Sequence, residues 1–292
     1  MKALNPVVAV DWGSSSFRAY RFDSTAEPVE KVEAPAGIKT VSNGDFEAVL
    51  FEHTGHWLHD GDAVLLSGMI TSRNGWVETP YLECPVPLLH LAEKSVHKPL
   101  AGGITAMFLP GVCTHNDVMR GEELQLYGAI NSDEQIVVLP GTHSKWAYVK
   151  SGVLEKFHTV VTGELFDLLI NNSLVGGLAS STTRSESGFA KGVHDGFGTA
   201  AIISQLFTAR AGVLLGHLDA REVHSYLSGL LIGNEIRESA GMYPDVPVLL
   251  IGAESLVADY QTAFNLLEIM AKPNQCDAAA SGFQKLIEQS RQ

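Results

Sequence analysis

Val7-Val-Ala-Val-Asp-Trp-Gly-Ser-Ser-Ser-Phe-Arg-Ala-Tyr-Arg-Phe22 decides the fold. Val7 to Val10 is a short apolar run rich in β-branched residues, the pattern of a buried strand. Gly13-Ser-Ser-Ser16 turns the chain, and Phe17 to Phe22 returns as a second strand, so a hairpin rather than a helix follows the first strand. Asp11 ends the apolar strand directly before the turn, where a buried carboxylate is costly without a partner. Its best partner is a divalent cation, since a hard oxygen ligand holds Mg2+ together with substrate phosphates. The plainer alternative is that Asp11 caps the turn through backbone amides.

Further along, Phe46 to Leu58 predicts an amphipathic helix and Asp62 to Ser67 a strand ending at Gly68. Gly121 to Ile130 predicts a helix that Asn131-Ser-Asp133 breaks, and a domain boundary is expected there. Ile136 to Leu139 then repeats the opening pattern: an apolar strand, a small-residue turn at Gly141-Thr-His-Ser144, and returning strands at Trp146 to Val149 and Val153 to Thr159. Helices are expected near Glu164 to Asn171, Thr199 to Arg210, Ala220 to Arg237 and Leu256 to Leu267, with a strand at Val246 to Ile251. The Ser, Thr and Gly content of Leu178 to Phe189 predicts a mobile loop. Turns of this kind form anion-binding nests of backbone N–H groups, so the two strand-turn-strand elements are candidate phosphate sites.

Composition bounds these readings. The 292 residues are long enough for two lobes, with 45% hydrophobic and 18% charged residues, ordinary values for a globular chain. A net charge of −13 argues against nucleic acid as a partner, which calls for clustered Lys and Arg. Cys84, Cys113 and Cys276 are odd in number and widely spaced, without a zinc or redox pair, which fits a reducing cytoplasm. No apolar stretch is long enough to span a bilayer, and Asp11 interrupts the N-terminal apolar run too early for a secretory signal, so no membrane partner is expected.

Val8 to Arg18 resembles the first phosphate motif of actin-like sugar kinases, and Asp-Trp-Gly followed by serines and Arg resembles its version in the 2-dehydro-3-deoxygalactonokinase family. The resemblance extends through Ser67-Gly-Met-Ile-Thr-Ser-Arg-Asn-Gly-Trp76, Leu109-Pro-Gly111 and Asn116-Asp-Val-Met-Arg-Gly-Glu-Glu123. It continues through Leu139-Pro-Gly-Thr-His-Ser-Lys-Trp146, Thr159-Val-Val-Thr-Gly-Glu-Leu165 and Leu227-Ser-Gly-Leu-Leu-Ile-Gly233. These blocks run in order along nearly the whole chain.

The resemblance implies an α/β fold of two actin-like, ribonuclease H-like lobes, each a mixed sheet flanked by helices, with an ATP cleft between them. It implies a substrate and phosphate lobe at 1–131, a nucleotide lobe at 132–270, and a C-terminal helix at 271–292 that can return to the first lobe. ATP and Mg2+ are the implied cofactors, and a sugar acid is the implied small-molecule partner. Gly13, Ser14, Ser15 and Ser16, and Gly141, Thr142, His143, Ser144 and Lys145, resemble the two ATP phosphate loops. Gly252, Ala253, Glu254 and Ser255 resemble the adenosine motif. Leu139-Pro140 stands where actin-like relatives often carry an acidic residue, so metal binding is expected to rest on Asp11.

Glu122, at the head of a helix, resembles the catalytic base of glycerol-kinase-like relatives, with Asp117 as the alternative. Arg18, Arg73, Asn74 and Arg120 are the candidates for the substrate carboxylate, which a guanidinium can grip with two parallel hydrogen bonds. The implied activity is phosphorylation of 2-dehydro-3-deoxy-D-galactonate at its 6-hydroxyl, in galactonate catabolism. Two rivals remain at this stage: a kinase of another sugar or sugar acid, and a non-catalytic ATP-binding protein of the same fold. Homo-oligomerisation stays open.

Overall fold

The computed structural model describes residues 5–290. They form two compact units: one holds the chain up to Asp133, Val149–Lys156 and the chain from Gln275 on, and the other holds Glu134–Tyr148 and Phe157–Asn274.

In the first unit β1 (Asn5–Trp12), β2 (Phe17–Phe22) and β3 (Pro28–Ala34) form an antiparallel meander. After α1 (Phe46–Thr54), β4 (Asp62–Ser67) pairs parallel to β1. β5 (Tyr81–Glu83), β6 (Val86–Pro87) and the one-turn α2 (His90–Glu93) lead to β7 (Val96–Pro99) and β8 (Thr105–Phe108). β9 (Gly111–Cys113), β10 (Val118–Met119) and α3 (Glu122–Ala129) follow. The main sheet has the order β3-β2-β1-β4-β8-β7, and β10-β9-β5 form a small second sheet.

Strand alternation explains why β1 is apolar yet ends in a carboxylate. Val8, Val10 and Trp12 enter one core with Phe17 and Ala19 of β2 and Val64 and Leu66 of β4. Ala9 and Asp11 leave the opposite face, beside their register partners Tyr20 and Arg18 on β2 and Leu65 and Ser67 on β4.

In the second unit β11 (Glu134–Leu139), β12 (Ser144–Lys150) and β13 (Val153–Val160) are followed by α4 (Thr162–Asn172), α5 (Glu186–Phe197), α6 (Ile202–Leu214) and α7 (Val223–Ala240). β14 (Val248–Leu250), α8 (Glu254–Leu266) and β15 (Ala271–Pro273) complete it. The order β15-β14-β11-β12-β13 repeats the plan β8-β4-β1-β2-β3 of the first sheet, again with parallel pairing on one side of the leading strand. The far ends of β12 and β13 belong to the first unit, where Val153 and Leu154 pair with Pro87 and Val86 of β6.

The last helix, α9 (Ala278–Ser290), packs on α3 within the first unit. Lys285 Nζ donates to the carbonyls of Tyr127 at 2.8 Å and Gly128 at 3.2 Å, placing a cation at the C-terminal end of α3. Among the described residues no helix is long and apolar enough to cross a membrane.

The expected loop at Leu178 to Phe189 is corrected in its last residues: α5 begins at Glu186, with the Ser185 hydroxyl accepting from the Gly188 amide at 3.1 Å. Gly188, Gly192 and Gly196 look like breakers in sequence, but they let α5 lie backbone to backbone on α7. A Cβ at Gly192 would lie 2.1 Å from the Tyr226 carbonyl oxygen, and one at Gly229 would lie 2.2 Å from that of Phe189. Neither carbonyl can move without its helix. Gly192→Ala and Gly229→Ala are therefore expected to destabilise the protein by about 1–3 kcal/mol each through overpacking. Gly241→Ala is the control, because the nearest atom to its Cβ would be 3.8 Å away. Thermal melts check this: the first two lower Tm and the control leaves it nearly unchanged.

Candidate active site

At the C-terminal end of β1 the Asp11 carboxylate is buried and ion-paired with Arg18. Burial pushes its carboxyl up, against the pull of the Arg18 guanidinium. Gly68, just beyond β4, has a φ of 95°, and a Cβ there would lie 2.8 Å from the Trp12 carbonyl oxygen and 3.2 Å from Asp11 Oδ1. Gly121, with a φ of 108°, would put a Cβ 3.1 Å from the Gly68 Cα. Two residues without side chains thus let the start of α3 approach the carboxylate end of β1.

The turn that follows β1 is tied down by the segment after β3. Gly13 N–H donates to the Ser16 carbonyl at 2.9 Å, and the Gly13 and Ser14 carbonyls accept from Ile38 N at 3.0 Å and Lys39 N at 3.2 Å. Ser15 and Ser16 are exposed at its tip. Arg73 and Asn74 are exposed in a separate turn, and Arg73 makes a loose 3.7 Å contact with Glu78. Among the described residues no group of three or more His, Cys, Asp or Glu side chains could hold a metal.

The acidic residues around α3 differ in environment. Glu122 Oε2 accepts from the Arg120 amide at 2.9 Å. Glu123 is buried, and both its oxygens lie 2.8 Å from the Gly121 amide nitrogen. Burial, reinforced by the neighbouring charge of Glu122, pushes Glu123 up to about 8. Asp117 sits in the β9–β10 turn, with Oδ1 accepting from the Val118 amide at 2.7 Å. The buried Arg120 guanidinium donates to Thr71 Oγ1 at 2.7 Å, to Thr79 Oγ1 at 2.6 Å and to the Thr79 carbonyl at 3.0 Å, and it lies 4.2 Å from the Tyr81 ring centroid. It braces the segment around Gly68.

The second unit contains a cavity of about 300 Å3 lined by Gly141, Thr162, Gly163, Phe166, Arg184, His224, Ser255, Asp259 and Tyr260. The Gly141–Lys145 turn packs on the start of α4, where a Cβ on Gly163 would lie 2.5 Å from the Gly141 carbonyl oxygen. His143 Nε2 lies 2.6 Å from Glu164 Oε2, and the buried Lys145 donates to Thr159 Oγ1 at 2.7 Å. Gly252, Ala253, Glu254 and Ser255 form the exposed entry to α8, and a Cβ on Gly252 would lie 3.3 Å from the Pro140 carbonyl oxygen. This brings the expected adenosine motif against the second expected phosphate loop. On another wall Arg184 pairs with Asp259, and burial lowers His224, which stays neutral at pH 7.

Behind these walls lies a buried carboxylate that reading the sequence misses. Glu235, 1% exposed, accepts from Trp146 Nε1 at 2.8 Å, from Tyr260 OH at 2.6 Å and from Thr162 Oγ1, while Tyr260 OH meets Ser144 Oγ at 3.0 Å. Burial pushes Glu235 up, opposed by these donors. Its signal in the sequence is a lone acid after the apolar run Leu230-Leu-Ile232, but its partners lie far along the chain.

Comparison with known proteins fits these features. The 2-dehydro-3-deoxygalactonokinase of Escherichia coli K12 is 36% identical over 269 residues, 89% of each chain. A Sinorhizobium meliloti crystal structure, provisionally described as a 2-dehydro-3-deoxygalactonokinase, superimposes with a TM-score of 0.87 at 29% identity, covering 97% of this chain and 98% of that one. A xylulose kinase from Lactobacillus acidophilus shares the fold at a TM-score of 0.52 and 9% identity, covering 97% of this chain and 89% of that one. The fold is therefore that of the actin-like ATPases and sugar kinases. With the sequence profile of 2-keto-3-deoxy-galactonokinases matching residues 11–286, from the buried Asp11 to the helix that packs on α3, the chain belongs to the 2-keto-3-deoxy-galactonokinase family.

Proposed function

We propose that the protein transfers the γ-phosphoryl group of ATP to the 6-hydroxyl of 2-dehydro-3-deoxy-D-galactonate, as a cytoplasmic enzyme of D-galactonate catabolism. The observation that carries this reading is the family match, unbroken from residue 11 to 286. In the reaction the substrate hydroxyl oxygen attacks the γ-phosphorus, the new O–P bond replaces the bond to the β-phosphate oxygen, and ADP leaves.

Glu122 is the base that takes the hydroxyl proton. It heads α3, which Gly121 and Gly68 bring toward Asp11. The nucleoside occupies the cavity of the second unit, which Ser255 at the end of the Gly252–Ser255 segment lines. Gly13–Ser16 and Gly141–Lys145 bind phosphate oxygens through backbone amides and hydroxyls, and Lys145 offsets charge on the transferring group. Asp11 would hold Mg2+, and the ion would supply further charge neutralisation. Arg73 and Asn74, whose side chains are exposed, receive the sugar-acid carboxylate, and Arg18 assists beside Asp11. Arg120, with its guanidinium engaged by Thr71, Thr79 and Tyr81, positions rather than contacts the substrate.

An assay of ADP release over a panel of sugar acids tests the substrate: 2-dehydro-3-deoxy-D-galactonate should be turned over best, and its failure to react would reject the assignment. Glu122→Gln should retain nucleotide binding while kcat falls by about 10²–10⁴, and near-normal turnover would transfer the role to Asp117.

Glu123→Gln should instead leave kcat within about threefold, because a neutral side chain suits its buried position. Its folded pKa is raised, to about 8 from 4.5, so the folded state holds a proton that the unfolded chain releases as pH rises through that window. The stability advantage of Glu123→Gln over the native protein should therefore grow from pH 5 to pH 8 and then level off, as thermal melts across pH would record.

A further inference from the structure

We propose that Ser67 is a specificity-determining residue of the acceptor site, its hydroxyl meeting a hydroxyl of the bound polyhydroxy carboxylate beside Asp11. The identity of that ligand rests on the kinase reading above; the placement of Ser67 does not. Ser67 ends β4 and is the register partner of Asp11, so both side chains leave the sheet on one face. Arg18 is the partner of Asp11 on the other side. Arg18, Asp11 and Ser67 thus form a row across β2, β1 and β4, at the strand ends where α/β sheets receive ligands.

Two members of this row hold buried polar atoms that nothing else satisfies. Ser67 is 1% exposed and its Oγ has no hydrogen-bond partner among the described residues. Arg18 Nε, on the far side of Asp11, is in the same state although Arg18 also reaches the Asp11 carboxylate. A buried polar group without a partner lowers stability, and in a folded protein it calls for a specific explanation. Here a donor and a hydroxyl flank a carboxylate, a set complementary to a ligand that presents several oxygens, each able to donate or accept. Gly68 adds no side chain next to them, and a Cβ there would lie 3.2 Å from Asp11 Oδ1.

The test is Ser67→Ala. Removal of an unsatisfied hydroxyl should raise the Tm of the ligand-free protein by about 2–4 °C. Loss of the ligand contact should raise KM for 2-dehydro-3-deoxy-D-galactonate about tenfold, with KM for ATP unchanged. An unchanged KM for the sugar acid, or a rise confined to ATP, would overturn the proposal, as would a drop in Tm, which would mark the hydroxyl as structural. If the native protein does not turn over this sugar acid, the substrate assignment has failed and Ser67 is judged by binding. Native protein and variant are then compared by thermal shift with D-galactonate, D-gluconate and their 2-dehydro-3-deoxy derivatives. A compound that stabilises only the native protein upholds the role of Ser67; equal stabilisation of both, or none by any compound, contradicts it.

Discussion

The buried carboxylate of Asp11 is the constraint around which the first unit is arranged. An apolar strand delivers it, alternation sends it to the face opposite Val10 and Trp12, and the register sets Arg18 and Ser67 on its two sides. The same carboxylate explains why neighbouring backbone must come close. Gly68 and Gly121 adopt positive φ values, 95° and 108°, at points where a side chain would meet Trp12, Asp11 or the facing glycine. Helix α3 then brings Glu122 and Glu123 to this end of the sheet, one bonded to the Arg120 amide and the other buried with a proton-retaining carboxyl.

The second unit repeats the strand order but solves the charge problem differently. Its leading strand ends in Leu139-Pro140 rather than in an acid, and the buried acidic group comes instead from α7 as Glu235. Through Thr162, Tyr260 and Trp146, and through Tyr260 to Ser144, it links β12, α4 and α8. Thr162 and Tyr260 also line the cavity of the second unit, so one carboxyl group sets two of its walls. The close α5–α7 pair holds α7 against the sheet side of that cavity with glycines where larger residues would force the helices apart.

Much of the fold was legible in local pattern. Val7 to Phe22 and Ile136 to Thr159 carry strand-turn-strand signals, and the Asp62 to Ser67 strand stands where its apolar run and the Gly68 turn place it. Helix α5 was not legible, because its glycines have meaning only against a partner helix beginning more than 30 residues later. The candidate site divides in the same way. Asp11 announces itself as a carboxylate closing an apolar run, whereas Glu235 and its donors meet only in three dimensions. Arg120 shows the limit most plainly: in sequence it stands with Arg73 among the candidate carboxylate ligands, yet its buried guanidinium is engaged by Thr71 and Thr79 while Arg73 stays exposed.

If Asp11 is the protein's hold on a nucleotide-bound cation, its charge and not merely its shape must matter. The direct measurement is binding of Mn2+ with a non-hydrolysable ATP analogue, followed by electron paramagnetic resonance, to the native protein and to Asp11→Asn. The account predicts that the native protein takes up the metal–nucleotide complex and that Asp11→Asn, correctly folded, weakens metal uptake by about tenfold or more. Equal metal affinity in the two proteins would contradict it.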